Sequence, residues 1–354
     1  MSERVLTLRE LNRATLARQL LLRRRQISVP RAVEAVGALQ AQFPPSPYIA
    51  LWSRVEGFRR EQLFRSLERR KIVKAALQRG TLHLVSSSDY LGYAGVFTRT
   101  RTAQQARRLV DRDLEEQALQ AEALAKEPLS RQELLRRIGE RPLNSTDRPA
   151  WIVWHLIQAR AALLLDPESA AWRMTTGRAR FIAASAWLGE RGADGPDAVD
   201  LLVRRYLRAF GPASVTDAMQ WTGLPTGLVR EALERRETRR FRDESGRLHF
   251  DLPRAPLPES ASPAPVRFLP MWDSLLLAHA DRRRVLPEDY RRVVIRKNGD
   301  VQQTFLVDGV VAGTWMTKDG RVAIEPFAPL PRVARRAVED EARRLELFLS
   351  STGA

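Results

Sequence analysis

The stretch that most restricts the fold runs from Asp200 to Asp251. Asp200 to Phe210 carries an apolar face at Leu202, Tyr206 and Phe210, and Gly211-Pro212 ends it. Ser214-Val-Thr-Asp217 has the spacing that caps a second helix, Gly223 makes a tight turn, and Gly227 to Arg235 is a recognition-type helix. "TRRFRDESGRLHFD" then alternates as strand, turn and strand. Short helices closed by a hairpin are the pattern of a winged helix.

The pattern recurs. Leu8 to Leu22 has helical spacing, Ser28-Val29-Pro30 is a helix start, and Arg31 to Leu39 runs as a helix into the pair Gln40 and Gln42. Ser46-Pro47 starts a helix through Trp52, and Arg60 to Arg69 makes a further one. "KIVKAAL" and "TLHLVS" read as two strands joined by Gln78-Arg79-Gly80. A middle copy has a capped helix from Ser130 to Ile138, a helix from Trp151 to Ala162, and wing strands in "ALLLDP" and "AWRMTT".

Beyond a Pro/Ser/Ala linker at 253–265 the character turns to β. "RRVVIRKNGDVQQTFLVDGVVAGTW" holds hairpin signals at Asn298-Gly299 and Asp308-Gly309, and Lys318-Asp319-Gly320 supplies a third. A final helix spans Pro331 to Leu349, with Val333, Val338, Leu345 and Phe348 on its apolar side. The expected class is α+β: three tandem winged helices (1–112, 113–190, 191–255), then a small barrel-like β domain with a C-terminal helix (264–354).

At 354 residues the chain exceeds a single core, which agrees with several modules. Its 59 Lys plus Arg against 42 Asp plus Glu leave +17, nearly all from arginine. Biased codon usage yields such a balance; so does a surface for a polyanion, where each neutralised phosphate releases counterions. Nucleic acid is the favoured partner. No apolar run approaches a membrane span, and the charged N-terminus lacks the h-region of a secretory signal. The absence of cysteine excludes disulfides and fits a reducing, cytoplasmic setting beside the nucleoid; four scattered histidines point to no metal, and nothing calls for a cofactor.

Candidate contacts follow from residue type. Arg282, Arg283 and Arg284 form a compact positive run, and Arg239, Arg240 and Arg242 line the third wing; both suit phosphate, although wings also serve as scaffold. The tip Arg296-Lys297-Asn298 is basic and narrow enough for a groove, with a solvated turn as the plainer role. His83 suits holding a water or phosphate, or a backbone partner; Arg54 suits phosphate or a pairing with Glu56 or Glu61; Asp273 suits an N-cap. Tyr48 and Trp52 suit the core rather than base stacking. Gln40 and Gln42 suit capping carbonyls where the helix ends before Pro44 and Pro45.

Several stretches together resemble one family. "LQAQFPPSPYIALWSR", "RGTLHLV", "FGPASVTDAMQWTGL", "FLPMWDSLLLAHADR" and "FLVDGVVAGTW" look like the AlkZ/YcaQ-type winged-helix DNA glycosylases of bacteria, over about residues 7–345. The resemblance implies three tandem winged helices and a β domain around a DNA-sized channel, with a hairpin of that domain probing the duplex. It implies excision of cationic N-alkylated purines, including N7-alkylguanine, bulky adducts and interstrand crosslinks, in repair or in self-resistance to an alkylating natural product. The family's catalytic pair matches Gln40 and Gln42. The YcaQ-like branch has Asp at the second position, so Gln42 sides with the AlkZ-like branch. His83, Asp273 and Arg54 are then candidates for active-site support.

Chemistry agrees. An alkylated purine is already positive and leaves readily, so no tuned acid is required. What remains is to place a water and face a sugar cation, a task for oriented amides. Hydrogen bonds involving charge contribute about 1.5–3 kcal/mol each, so two supply about 10²- to 10⁴-fold. That serves a labile substrate and leaves intact nucleotides untouched. The expected protein is a monomeric, monofunctional glycosylase, no well-placed lysine near Gln40 arguing for a Schiff-base lyase, with Lys71 and Lys74 left open for that role. A winged-helix transcriptional regulator is the alternative, weakened by three modules without a coiled-coil seam; passive shielding of adducts is a third.

Overall fold

The computed structural model describes residues 3–106, 114–139, 148–174, 176–235 and 237–351. Helices and strands interleave along the chain, and the strands gather into three sheets, which is the expected α+β class.

Thr7 opens the helix Leu8–Arg18, its side chain accepting from the Glu10 amide while Glu10 caps Thr7 in return. The next helix, Val29–Val36, stops short of Leu39. Gly37 is the reason: its φ is +85°, and a Cβ there would lie 3.1 Å from that of Ala209. The chain then extends, so Leu39–Gln40 is a two-residue strand rather than the end of a helix. Helices Ser46–Arg54 and Arg60–Glu68 follow, then the hairpin Ile72–Ala76 and Leu82–Ser86. Leu39–Gln40 pairs with the outer edge of Leu82–Ser86.

The second region departs further from expectation. Leu163–Leu165 is a strand, but it pairs with Arg180–Ala183 and not with 171–174, and residue 175 of the expected partner strand lies outside the described residues. Glu168–Ala170 coils into a helical turn held by the Ser169 amide donating to Asp166 Oδ1, so the chain comes round later than the wing reading assumes. Leu165 also pairs with Lys74, which fuses the first two hairpins into one six-stranded sheet. Two helices, Ser87–Ala106 and Glu115–Leu124, carry no clear sequence signal. In the first, Tyr90, Tyr93, Ala94, Val96 and Phe97 are all buried, and burial on several sides erases the one-face periodicity.

The third region follows the sequence closely. Helices Pro196–Phe210, Val215–Thr222 and Thr226–Glu234 lead into strands Arg239–Asp243 and Leu248–Asp251. Ser214 and Asp217 cap each other, and Gly223 is left-handed at φ +72°. Unforeseen is the strand Arg4–Leu6, which lies parallel to Arg239–Asp243.

No helix or strand interrupts 253–265. Strands Arg267–Leu269, Thr304–Val307, Val310–Lys318 and Arg321–Pro326 form an antiparallel sheet in chain order, turning at Asp308-Gly309 and at Lys318-Asp319-Gly320. The first and last strands are its two edges, so the order is open where a barrel is expected. Arg291–Val294 is a short helix, not a strand, and the Asn298-Gly299 hairpin shrinks to the bridge Ile295–Val301. Helix Arg332–Ser350 covers the sheet with Val338, Leu345 and Phe348, whereas Val333 is 84% exposed.

Two apolar clusters bind these parts. One packs Val73, Ala75 and Val85 of the six-stranded sheet against Tyr93, Tyr206, Phe210 and Trp221. The other joins Val33 and Tyr48 to Phe268, Trp315 and Phe348, and so fixes the C-terminal sheet to the helices around Gln40.

Candidate active site

Gln40 and Gln42 meet at the start of strand Leu82–Ser86. Gln40 lies opposite His83, the Ala41 N–H donates to Leu82 O at 2.8 Å, and Gln42 Oε1 accepts from the Leu82 N–H at 3.0 Å. The Gln42 side chain thus completes the ladder that a longer strand would have made. With its oxygen held, exposed Gln42 has its Nε2 left to donate. Gln40 is 7% exposed, and its Oε1 is buried without any partner. Leaving a buried acceptor unsatisfied costs about 1–3 kcal/mol, a cost a bound donor removes.

Polar contacts fix the backbone on both sides of the pair. Gln19 Nε2 donates to Val36 O at 3.2 Å and to Ala209 O at 3.0 Å. Ser274 Oγ donates to Ala38 O at 3.2 Å, and Ser46 Oγ donates to Met271 O at 2.9 Å. Arg54, 1% exposed, donates to both carboxylate oxygens of Asp273 at 3.0 and 2.8 Å. Asp273 Oδ1 also accepts from the Leu275 N–H, the N-cap its position suggests. Arg54 and Asp273 therefore hold the loop after Leu269 against helix Ser46–Arg54. Both are buried as a pair, and Arg54 pairs with Asp273 in place of Glu56 or Glu61. Gln19 and Ser274 carry no sequence signal, because what they bind is backbone brought close by folding.

His83 is buried, with Nδ1 at 2.9 Å from Thr81 O. Burial, reinforced by Arg79, lowers its pKa to about 3, so the imidazole is neutral and tied to the backbone. Arg79, in the left-handed region at φ +54°, donates to Trp221 O at 2.8 Å and so clamps the hairpin turn to the third region. Beside it Gln78 is fully buried with neither amide atom partnered. Tyr48 and Trp52 serve packing: the Tyr48 hydroxyl donates to Ala170 O, and Trp52 stacks on Phe348.

On the far side of Gln42 lies a cavity of about 190 Å³ between the first hairpin and helix Arg148–Arg160, lined also by Lys74, Leu82, Trp154, Gln158 and Phe181. Lys74 is 4% exposed, its Nζ donates to Ser169 O at 3.1 Å, and burial lowers its pKa to about 8. Among the described residues no His/Cys/Asp/Glu cluster could hold a metal ion, and no helix is long and apolar enough to cross a membrane.

The arginine runs divide. Arg284 is buried, donating to Thr15 Oγ1 and Pro212 O, and Arg283 pairs with Asp281 at 2.6 Å; Arg282 spends its Nε on Leu276 O. Arg239 pairs with Asp251 at 3.0 Å and Arg242 with Glu3 at 3.0 Å. Of the 282–284 run only Arg284 is enclosed as scaffold; Arg283 is exposed beside Asp281, and Arg282 is half-buried. Arg240, Arg296 and Lys297 are exposed and form no ion pair among the described residues. The Arg296–Asp300 turn is braced by the Trp272 indole donating to Gly299 O at 3.1 Å.

The model of the family described as DNA glycosylase AlkZ-like matches residues 33–348. A curated relative from Streptomyces sahachiroi, an interstrand DNA cross-link repair glycosylase, is 26% identical over 92% of this chain and 92% of its own. The solved structure of the Streptomyces sahachiroi DNA glycosylase AlkZ superposes with a TM-score of 0.80 at 24% identity, covering 98% of this chain and 97% of that one.

Proposed function

The chain belongs to the AlkZ-like DNA glycosylase family and is thus a DNA glycosylase, and from that premise we propose that it hydrolyses the N-glycosidic bond of cationic N-alkylated purines in duplex DNA, with Gln40 and Gln42 as the catalytic residues. The observation that carries this reading is the buried Gln40 Oε1 without a donor, next to a Gln42 amide whose oxygen is already occupied. In this reading a water placed between them donates to Gln40 Oε1, accepts from Gln42 Nε2, and keeps one lone pair for C1′. The positive purine departs as a neutral base, the sugar takes on the charge, and Gln40 Oε1 faces it. Water adds to C1′ and its proton goes to solvent, leaving an abasic site. None of these steps needs an acid of shifted pKa, which agrees with a neutral, backbone-bound His83.

The relative's name supports interstrand crosslinks as substrates and repair as the setting; bulky adducts and self-resistance to an alkylating natural product belong to the same reading. We read 1–112, 113–190 and 191–255 as three winged-helix modules, followed by a β domain at 264–354, acting as a monomer in the cytoplasm near the nucleoid. Arg240, Arg296 and Lys297 are the cations we assign to the DNA. The regulator reading gives way to family membership.

The test is release of 7-methylguanine from duplex DNA, followed by alkaline cleavage of abasic sites. Each of Gln40→Ala and Gln42→Ala lowers the rate about 10- to 150-fold, corresponding to about 1.5–3 kcal/mol. Undiminished release from the double variant overturns the assignment.

A further inference from the structure

Lys74 sits mid-strand in the fused sheet, where its side chain enters the cavity that Gln42 borders. Among the described residues its amine bonds only Ser169 O, and no carboxylate lies among those lining the cavity. An ammonium taken from water without a counter-ion is disfavoured, so burial lowers the pKa of this amine to about 8, which leaves about a tenth of it unprotonated at pH 7 and more above. A desolvated, unprotonated lysine amine is a nucleophile for carbonyl carbon. The space, about 190 Å³, equals about six water molecules. Trp154, Phe181 and Leu82 give it apolar walls, and Gln158 and Gln42 add amides. Lys74 and Arg131 make it unsuitable for a cationic purine and suitable for a neutral, oxygen-rich guest. Such a guest arises one step after base loss, when the abasic sugar opens to an aldehyde.

We propose that this cavity receives the ring-opened sugar of the abasic product and that Lys74 captures its C1′ aldehyde as an imine. The inference rests on the glycosylase reading, since base release is what generates the aldehyde. The Nζ lone pair forms the C–N bond as the carbonyl π pair moves to oxygen. A proton passes from nitrogen to oxygen to give the carbinolamine. With one proton from solvent, water departs and the iminium remains. Nothing is oxidised or reduced, and the strand stays intact. The apolar walls slow hydrolysis of the imine, so the protein holds the reactive product after chemistry is complete.

The experiment uses duplex DNA with a preformed abasic site, so that base release is not required, and sodium borohydride to reduce the imine to a stable amine. The wild type gives a covalent protein–DNA band, and peptide mass mapping places the sugar on Lys74. Lys74→Arg keeps a cation able to donate to Ser169 O but cannot form an imine; it loses the band, with a circular dichroism spectrum like that of the wild type. Trapping by the wild type rises between about pH 6.5 and 8.5 as the amine deprotonates. No band from the wild type, an undiminished band from Lys74→Arg, or a sugar mapped to Lys71 or the N-terminal amine overturns the proposal. Release of 7-methylguanine is measured in parallel. Trapping without base release sinks the glycosylase reading alone, and base release without trapping sinks this one alone.

Discussion

The hairpin Ile72–Ser86 and the hairpin Arg239–Asp251 arise from the same local pattern of short helices followed by two strands, yet they end in opposite chemical states. The third hairpin pairs its carboxylates, although Arg239 Nε and His249 Nδ1 stay buried without a partner among the described residues. Asp251, fully buried, accepts from Arg18 at 2.7 Å and from Arg239 at 3.0 Å, and His249 Nε2 lies 3.1 Å from Asp243. Its free edge is covered by Arg4–Leu6. The first hairpin has unpaired groups. Its edge is covered by a strand of only two residues, Gln42 supplies the missing acceptor with a side chain, and Gln40, Gln78 and Lys74 are left short of partners or counter-ions. Carboxylates matched by arginines make a scaffold; amides without partners and an amine without a counter-ion make a place for a ligand. What the difference teaches is that the module does not determine the role, and the strand added to its edge does.

The sharpest way to break this contrast is Arg18→Ala. It strands the Asp251 charge in the interior and costs about 3–5 kcal/mol of stability in urea unfolding, while the molecules that remain folded release bases at the wild-type rate. Gln40→Ala inverts that outcome: base release falls about 10- to 150-fold, and the unfolding midpoint holds or rises, because an unsatisfied buried oxygen is removed. Acid sharpens the comparison. With a folded pKa of about 3 against an ordinary 6.5, His83 stays neutral when folded and protonates first when unfolded. Its stabilising contribution is full above pH 6.5 and is lost as pH falls from 6.5 towards 3, on the order of 2 kcal/mol by pH 5. His83→Gln flattens that part of a stability-against-pH curve; an unchanged curve means His83 carries no such load. Ser274→Ala releases Ala38 O and lowers base release about 5-fold, corresponding to about 1 kcal/mol, with a smaller effect on stability. Smallest are single exposed cations. Lys297→Ala or Arg240→Ala reduces the salt slope of DNA binding by about one wherever that cation meets phosphate, and Arg284→Lys, buried in the scaffold, leaves the slope unchanged.

Much of the fold was legible where a local rule sufficed. The third region matches because its caps, its glycine turn and its one-sided apolar faces lie within a few residues of each other, as Ser214 with Asp217 shows. The middle region was misread where non-local pairing ruled: 171–176 has the alternation of a strand, but Arg180–Ala183 holds the register with Leu163–Leu165. Helix Ser87–Ala106 escaped notice because it is buried on several sides.

The sequence alone determined that two glutamines flank one alanine before a pair of prolines, that the chain is rich in arginine, and that turns fall at Gly223, Asp308-Gly309 and Asp319-Gly320. These are properties of residue type and short spacing. Tertiary structure alone decided that Gly37 ends the helix early against Ala209, that Gln40 keeps a buried oxygen free while Gln42 spends its own on Leu82, and that Arg54, Arg239 and Arg284 face carboxylates or carbonyls instead of phosphate. The physical reason is that a hydrogen-bond donor is worth what its surroundings leave unpaired, and those surroundings come from parts of the chain hundreds of residues away.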